Sequence, residues 1–221
     1  MKKLLLIRHA QCEMNAYNSS KLMNEKILGG GGPLTQRGIK QSEELGKYFL
    51  LAFPKLPDFV ACSSSERAKQ TLENSIWYPK MKYTLDSRLN EQSKGIWEGE
   101  RHGYVITNQV VKDMSWHYSP IRGESRENVK ERGMEFLEEK VFGFDYGISA
   151  IFSHQNFIRN IVTELFGLEK EEAFMMKVAN AAIFEVHYEG RQGLDLEVHY
   201  LDSKKYKSIK AELGGDKNVT C

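Results

Sequence analysis

The chain has 221 residues, 41% of them hydrophobic and 28% charged, which predicts one packed domain over residues 1–221. Its 31 Lys and Arg residues nearly balance its 30 Asp and Glu residues, which argues against the basic field typical of nucleic-acid-binding proteins. Three well-separated cysteines, Cys12, Cys62 and Cys221, form no disulfide or zinc pattern. This usage favours a reducing compartment and predicts a cytoplasmic protein.

The first predicted element is a short apolar strand at residues 4–7, followed at once by Arg8 and His9 and then by Asn15. The apolar run is shorter than the roughly 7–15 residues of a signal-peptide core, and nothing in the chain approaches a membrane span. The carboxyl end of a buried strand is where α/β sheets build their sites. Arginine suits phosphate oxygens, and histidine acts as a nucleophile or an acid–base group near neutral pH.

A long Gly-rich segment, residues 16–33, follows this strand and is predicted to be a loop. Its glycine run, residues 29–32, is not followed by Gly-Lys-Ser/Thr, so a flexible hinge is predicted rather than a phosphate-binding loop. Thr35 is the predicted N-cap of a helix, because apolar residues recur at helical spacing after it.

The second predicted strand, residues 58–62, leads into a helix that begins near Glu66 and carries Arg67. A short extended segment at 82–85 then precedes Glu91. Residues 92–121 show no clean helical or strand period, and we interpret about 92–123 as a lid or insertion.

An amphipathic helix is predicted around 129–141 and a strand at 148–152, which ends in Ser153, His154 and Gln155 before a helix at about 156–166. Two alternating segments, 182–188 and 194–200, flank a Gly-containing turn and predict a hairpin. The second of these strands presents an edge that suits pairing in a homodimer. The polar, Lys-rich tail from Ser203 is predicted to be a loosely held surface segment.

The alternation of strands and helices predicts an α/β fold. Its architecture is a three-layer sandwich with a mostly parallel central sheet flanked by helices, plus the lid insertion and the C-terminal hairpin. If the three strands are parallel neighbours, Arg8, His9, Arg67 and His154 converge at one edge of the sheet. We call these four residues the phosphoryl cage, because two Arg and two His suit a phosphoryl group. Glu91 is expected at the mouth of the cage.

The chain resembles the histidine phosphatase superfamily, which includes phosphoglycerate mutases and many small-molecule phosphatases. The matching blocks stand in the family's order from residue 3 to about 187. They begin with Arg8-His9 and Asn15, Leu34-Thr35 with Gly38 and Gln41, and Ser64-Ser65-Glu66-Arg67-Ala68 with Gln70-Thr71. They continue with Arg88-Leu89-Asn90-Glu91, Gly95-Ile96-Trp97-Glu98-Gly99, Gly123-Glu124-Ser125 and Ser153-His154.

Three positions depart from the family pattern. Ala10 and Gln155 stand where the family usually has Gly, and Cys12 stands where it usually has Thr or Ser. Because only glycine adopts φ > 0 cheaply, Ala10 and Gln155 are expected to put the local backbone at risk.

The residues and the resemblance together imply a phosphatase that hydrolyses a phosphomonoester through a phosphohistidine on His9. Arg8, Arg67 and His154 would neutralise the phosphoryl oxygens, Glu91 would be the general acid and base, and Asn15 and Gln155 would contact the substrate. No metal and no cofactor are expected. The expected partner is a small phosphorylated metabolite, with no nucleic acid and no membrane.

Two alternatives stay open. A cofactor-dependent phosphoglycerate mutase is one, although this chain has Glu91-Gln92-Ser93-Lys94-Gly95 where such mutases carry Glu-Arg-His-Tyr-Gly. A catalytically impaired protein that binds phosphorylated ligands is the other, and the changes at Ala10 and Gln155 motivate it. A cysteine-dependent phosphatase fails because Cys62 and Arg67 are one residue too close for Cys-x5-Arg, and a clustered zinc motif is absent.

Overall fold

The computed structural model describes residues 2–53, 55–75, 81–103, 116–202 and 205–210. Within these residues seven strands form one sheet in the order β3-β2-β4-β1-β5-β6-β7. The strands are β1 Lys2–Arg8, β2 Phe59–Ser63, β3 Thr84–Asp86, β4 Ile148–Ser153, β5 Ile183–Glu189, β6 Gln192–Asp202 and β7 Lys205–Lys210. Strands β3, β2, β4 and β1 are parallel, and β5, β6 and β7 extend the sheet with antiparallel pairing.

Helices cover both faces of this sheet. They are α1 Glu13–Ser19, α2 Gln36–Ala52, α3 Glu66–Glu73, α4 Arg126–Leu137, α5 Gln155–Phe166 and α6 Lys170–Met175, with a π-helical turn Glu138–Phe142 after α4. Three short 3-10 turns lie at Met23–Glu25, Ser87–Leu89 and Gly95–Trp97. None of the helices in the described part of the chain is long and apolar enough to cross a membrane.

The central strand β1 shows why the sheet is buried on both faces. Because side chains alternate along a strand, Leu4 and Leu6 belong to the core that contains α4 and α5. Leu5 and Ile7 belong to the opposite core, which contains α2 and α3. All four side chains have no exposed surface. The expected three-layer α/β sandwich with a parallel central part is confirmed.

Three elements differ from the expectations. The segment after His9 forms α1, a helix with no buried residue, which therefore leaves no apolar period in the sequence. Helix α6 is only six residues long, too short for its period to stand out. Within the predicted tail from Ser203, residues 205–210 form β7, which pairs with β6, while 203–204 and 211–221 lie outside the described residues. The predicted free edge at 194–200 is thus covered, and that basis for a homodimer is wrong.

The predicted lid, 92–123, is described at its two ends, while residues 104–115 lie outside the described residues. Its first part packs on the Gly-rich loop, where Ile27 and Arg101 form an isolated bridge and the Gly30 N–H donates to Glu98 at 2.8 Å. At its other end Trp116 is buried and donates through Nε1 to Glu127 of α4 at 2.6 Å. The Gly-rich loop and the start of the lid therefore support each other.

Candidate active site

The phosphoryl cage is assembled by three neighbouring parallel strands. Strand β4 pairs with β1 on one side and with β2 on the other. Arg8 ends β1 and His9 follows it, His154 follows β4, and Arg67 is the second residue of α3, just after β2. The carboxyl ends of the strands thus bring together residues that lie up to 146 positions apart in the chain.

His9 is held as a neutral imidazole with one ring nitrogen directed to a cation. Its side chain is buried, and its Nδ1 lies 2.7 Å from the carbonyl oxygen of Ala10. Because a carbonyl only accepts, Nδ1 carries the proton and Nε2 keeps its lone pair. Nε of Arg67 donates to that Nε2 at 3.1 Å. Burial, Arg8 and Arg67 lower the pKa of His9 well below 6.5.

His154 lies beside His9, with ring centroids 5.1 Å apart. Its Nε2 is 2.8 Å from the hydroxyl of Ser63 and 3.0 Å from that of Ser65. Burial, and after it electrostatic coupling to His9 and to the cations Arg67 and Arg8, lower the pKa of His154 well below 6.5, so this ring is also neutral. Its Nδ1 is buried and has no partner within the described residues. Such a buried polar atom needs an explanation, and an oxygen of a bound ligand supplies one.

The two arginines of the cage have no carboxylate partner among the residues that the structure describes. Nη1 of Arg8 donates to the carbonyl oxygen of Val178, while its Nε is buried and unpartnered among the described residues. Burial lowers the pKa of Arg8 to about 10, so its guanidinium remains charged at neutral pH. Neither Arg8 nor Arg67 has a carboxylate within ion-pair distance in the described part of the chain. A cationic pocket of this kind favours an anion such as a phosphoryl group.

Glu91 sits at the start of helix α5. Its carboxylate accepts from the backbone N–H of Asn156 at 3.1 Å and from that of Gln92 at 2.9 Å. The first turn of a helix favours negative charge, because its N–H groups are otherwise unpaired. The predicted general acid therefore lies at the N-terminus of the helix that His154 directly precedes.

Of the two predicted substrate contacts, Asn15 is placed beside His9 and Gln155 is engaged elsewhere. Oδ1 of Asn15 accepts from Asn180 Nδ2 at 2.9 Å, and the same Nδ2 donates to the His9 carbonyl at 3.1 Å. The Asn15 amide nitrogen makes no hydrogen bond to the described residues, which leaves it available as a donor. The Gln155 side-chain oxygen accepts from Arg159 at 2.7 and 3.0 Å once its amide is oriented to suit that partner.

The departures from the family pattern cause no backbone strain. Among the described non-glycine residues, positive φ is confined to Arg122 and Ala181. Gln155 is the first residue of α5, and the N–H of Ala10 donates to the Thr71 hydroxyl at 2.9 Å. The expectation that Ala10 and Gln155 endanger the local backbone is therefore wrong, because neither position requires φ > 0.

The structure adds residues that the sequence did not single out. Arg132 of α4 donates to the backbone carbonyls of Arg88, Asn90 and Glu91, and it forms an ion pair with Glu124 at 2.7 Å. Glu124 also accepts from the N–H of Ser93 at 3.0 Å. The Gly-Glu-Ser block included Glu124, but the sequence assigned it no role. No local pattern indicated Arg132.

One cluster outside the cage resembles a metal site. Ligand atoms of Glu185, Glu197 and His199 lie within 4.8 Å of one another. However, Nζ of Lys3 is 2.5 Å from the Glu185 carboxylate, so an ammonium already supplies the positive charge there. The cluster is better described as a buried ion pair of strands β1, β5 and β6.

The fold and the cage together define an α/β protein with a cationic pocket at the carboxyl edge of its parallel strands. The sequence pattern of the histidine phosphatase superfamily (branch 1) matches residues 4–199. The chain belongs to this superfamily.

Several known proteins are similar to the chain. A candidate phosphoserine phosphatase of Hydrogenobacter thermophilus is 29% identical over 197 residues, which cover 87% of this chain and 92% of that protein. Fructose-2,6-bisphosphatase TIGAR of Bos taurus is 30% identical over 145 residues, 61% of this chain and 49% of the relative. The crystal structure of the alpha-ribazole phosphatase from Shigella flexneri shares the fold, with a TM-score of 0.68 and 23% identity over 86% of this chain and 93% of that one. All three are phosphatases by name, in agreement with the expected phosphoric monoester hydrolase.

Proposed function

We propose that the protein is a metal-independent phosphatase that hydrolyses a phosphomonoester through a phosphohistidine intermediate on His9. The observation that carries the proposal is the state of His9. Its Nδ1 is bonded to the Ala10 carbonyl, its lowered pKa keeps it neutral, and Nε2 has a lone pair beside Arg67. A neutral ring nitrogen with a fixed tautomer is what nucleophilic attack on phosphorus requires.

The first step transfers the phosphoryl group to His9. Nε2 attacks phosphorus in line, the N–P bond forms, and the P–O bond to the leaving group breaks. Arg8, Arg67 and the Nδ1 of His154 bind the three non-bridging oxygens, whose charge must be stabilised throughout the transfer. The departing ester oxygen takes a proton from Glu91.

The second step returns the enzyme to its starting state. Glu91, now a carboxylate, accepts a proton from a water molecule that attacks phosphorus. The N–P bond breaks, inorganic phosphate leaves, and the lone pair returns to Nε2 of His9. A positioned acid–base group of this kind contributes on the order of 10²–10⁴-fold.

The proposed substrate is a small phosphorylated metabolite, as for the relatives named above, and the proposed location is the cytoplasm. The four cage residues supply positive charge and donors without a metal, so we expect no metal or cofactor requirement. Assembly into a homodimer stays a prediction. The changes at Ala10 and Gln155 that motivated a non-catalytic binding protein leave the backbone unstrained, which favours the catalytic interpretation.

The test is hydrolysis of p-nitrophenyl phosphate in excess EDTA by the wild type, His9→Ala and His117→Ala. His117 is an exposed histidine that contacts Lys170 and serves as the matched control. We expect activity in the wild type and in His117→Ala and its loss in His9→Ala. Brief mixing with substrate and denaturation at high pH should recover a phosphoprotein that is stable to base and labile to acid, the behaviour of phosphohistidine.

Two outcomes contradict the proposal. Activity that survives His9→Ala means that another group is the nucleophile. Strict dependence on a divalent ion means that the cage does not act alone. An inactive wild type directs the next assay to 3-phosphoglycerate with its bisphosphate cofactor, the mutase alternative.

A further inference from the structure

We infer that the substrate carries a second anionic group, a carboxylate or a second phosphate, which Lys94, Arg126 and Arg159 bind beside Glu91. This inference rests on the proposed function, because it concerns the leaving-group side of the same site. We call these three residues the cationic cluster. They come from three different elements: the loop after Glu91, the start of α4 and the first turns of α5.

Among the described residues, Arg126 carries the clearest unpaired donor of the cluster. It is the first residue of α4, and its guanidinium carbon lies 4.2 Å from the ring centroid of Phe174. Its Nη1 is buried and has no hydrogen-bond partner among the described residues. Because buried guanidinium donors are normally paired, this atom has room for an acceptor that belongs to the ligand.

Arg159 and Lys94 are held in place by neutral groups. Nε of Arg159 donates to the Met176 carbonyl at 2.8 Å, and Nζ of Lys94 donates to the Gln92 side-chain oxygen at 2.8 Å. Neither side chain forms an ion pair with any residue that the structure describes. Both are therefore oriented without being neutralised.

The neighbouring cations on the same loop and helix behave differently. Arg88 is paired with Asp86 at 2.8 Å and with Glu139 at 2.7 Å, and Arg132 is paired with Glu124 at 2.7 Å. Cations that serve the structure here have carboxylate partners. The three cations of the cluster are influenced by Glu91, and Lys94 also by Glu98, which still leaves an excess of one positive charge.

The electrostatics of the cluster agree with this placement. Burial, and after it repulsion from Arg159, lower the pKa of Arg126 to about 10, while Glu91 opposes this effect. Burial also lowers the pKa of Lys94 and of Arg159. Like charges that are partly desolvated and close enough to repel one another destabilise the empty site, and a bound anion relieves that repulsion.

The position of the cluster sets the chemistry of the substrate. The charge of Glu91, the proposed general acid, acts on all three cations, so the second anion should lie a few bonds from the ester oxygen. A phosphorylated hydroxy acid or a compact bisphosphate meets this requirement. A phosphate ester of an amino alcohol or of an uncharged alcohol does not meet it.

The test compares binding of two ligands that differ only in the second anion. Isothermal titration calorimetry of the His9→Ala protein with 3-phosphoglycerate and with glycerol 3-phosphate removes turnover and isolates the carboxylate. We expect 3-phosphoglycerate to bind at least about tenfold more tightly, the effect of a charge-assisted hydrogen bond. Arg126→Gln and Lys94→Gln, each on that background, should reduce this preference. The matched control is Arg37→Gln, an exposed arginine of α2, which should leave it unchanged.

The same titration with fructose 2,6-bisphosphate and fructose 6-phosphate distinguishes the two sources of the anion. A preference in this pair alone assigns the cluster to a second phosphate, and a preference in the first pair assigns it to a carboxylate. Equal affinities within both pairs, or a preference that neither cluster variant reduces, overturn the inference. Hydrolysis of p-nitrophenyl phosphate that survives His9→Ala overturns the proposed nucleophile and not this inference, and the same ligand preference is then measured as competitive inhibition of that hydrolysis at initial rate.

Discussion

Arg67 and His9 are joined by a hydrogen bond in which Nε of the arginine donates to Nε2 of the histidine at 3.1 Å. The proposed nucleophilic atom is thus already in contact with a cation that would bind the phosphoryl group. The bond orients the ring. It also occupies the lone pair of Nε2 until a phosphoryl oxygen takes the place of Nε2 as the acceptor of the Arg67 N–H. Burial, and after it the charges of Arg8 and Arg67, lower the pKa of His9 and keep the imidazole neutral.

Arg67→Lys should retain the positive charge and lose the forked donor. We expect kcat/KM for p-nitrophenyl phosphate to fall on the order of 10²–10³-fold, as for the loss of one preorganised donor to a developing oxyanion. Steady-state kinetics on the purified variant measure this, with circular dichroism to show that it is folded. A variant within threefold of the wild type would show that Arg67 is not part of the phosphoryl site.

The acid limb of the pH profile should report the protonation of His9. Attack requires the neutral ring, and burial, Arg8 and Arg67 hold its pKa well below 6.5. The wild type should therefore retain its kcat/KM as the pH falls through 6.5 and lose it only at lower pH. Arg67→Ala removes one cause of the lowered His9 pKa, so the acid limb of this variant should move to higher pH. Arg67→Lys keeps the positive charge and should keep the acid limb of the wild type. Identical limbs in all three proteins would mean that another group controls the profile.

Arg132 should position Glu91 without touching the substrate. It binds the backbone carbonyls of Arg88, Asn90 and Glu91 and is itself fixed by Glu124. Arg132→Gln should lower kcat about 10- to 100-fold on an alkyl phosphate, which needs a general acid, and much less on p-nitrophenyl phosphate, which has a good leaving group. The control is Arg191→Gln, an exposed arginine paired with Glu138. Equal losses on both substrates would indicate general destabilisation instead.

Gly31 lies against the guanidinium of Arg67, and a methyl group there would collide with Nη1. Gly31→Ala should displace this side chain and lower kcat/KM about 100-fold, the effect of a misplacement of about 1 Å. Gly143→Ala is the matched control, because the nearest atom to its new methyl group is the Glu138 carbonyl oxygen at 3.9 Å. If the two variants lose activity equally, the close approach of Gly31 to Arg67 does not matter for catalysis.

The buried carboxylate of Glu185 should make stability depend on pH away from the active site. It binds Lys3, His187 and His199, and these hydrogen bonds outweigh burial and lower its pKa from 4.5 to about 2. A lowered folded-state pKa contributes stability that is fully present above about pH 4.5 and is lost as the pH falls toward 2. The contribution at neutral pH is on the order of 2 kcal/mol. Chemical denaturation of Glu185→Gln at pH 7 and pH 3 should show a smaller pH dependence than the wild type, with unchanged kcat.

The sequence alone was enough to predict much of the fold and the cage. Buried strands have continuous apolar runs, and parallel strands end at one edge of a sheet. Arg8, His9, Arg67 and His154 could therefore be placed together from their positions after three predicted strands. The helix that begins after Thr35 and the hairpin of β5 and β6 could also be predicted, because helix capping and hydrophobic alternation are local signals.

Only the tertiary structure decided how these groups contact one another. The bond between Arg67 and His9, the close approach of Gly31 and the support of Glu91 by Arg132 join residues 30 or more positions apart. Strand β7 owes its place to pairing with β6 rather than to an apolar period. Propensity and hydrophobic period act over a few residues, so they determine which elements form and in what order. The direction of each side chain, and the charge state that its neighbours impose, depend on packing between elements that are distant in the chain.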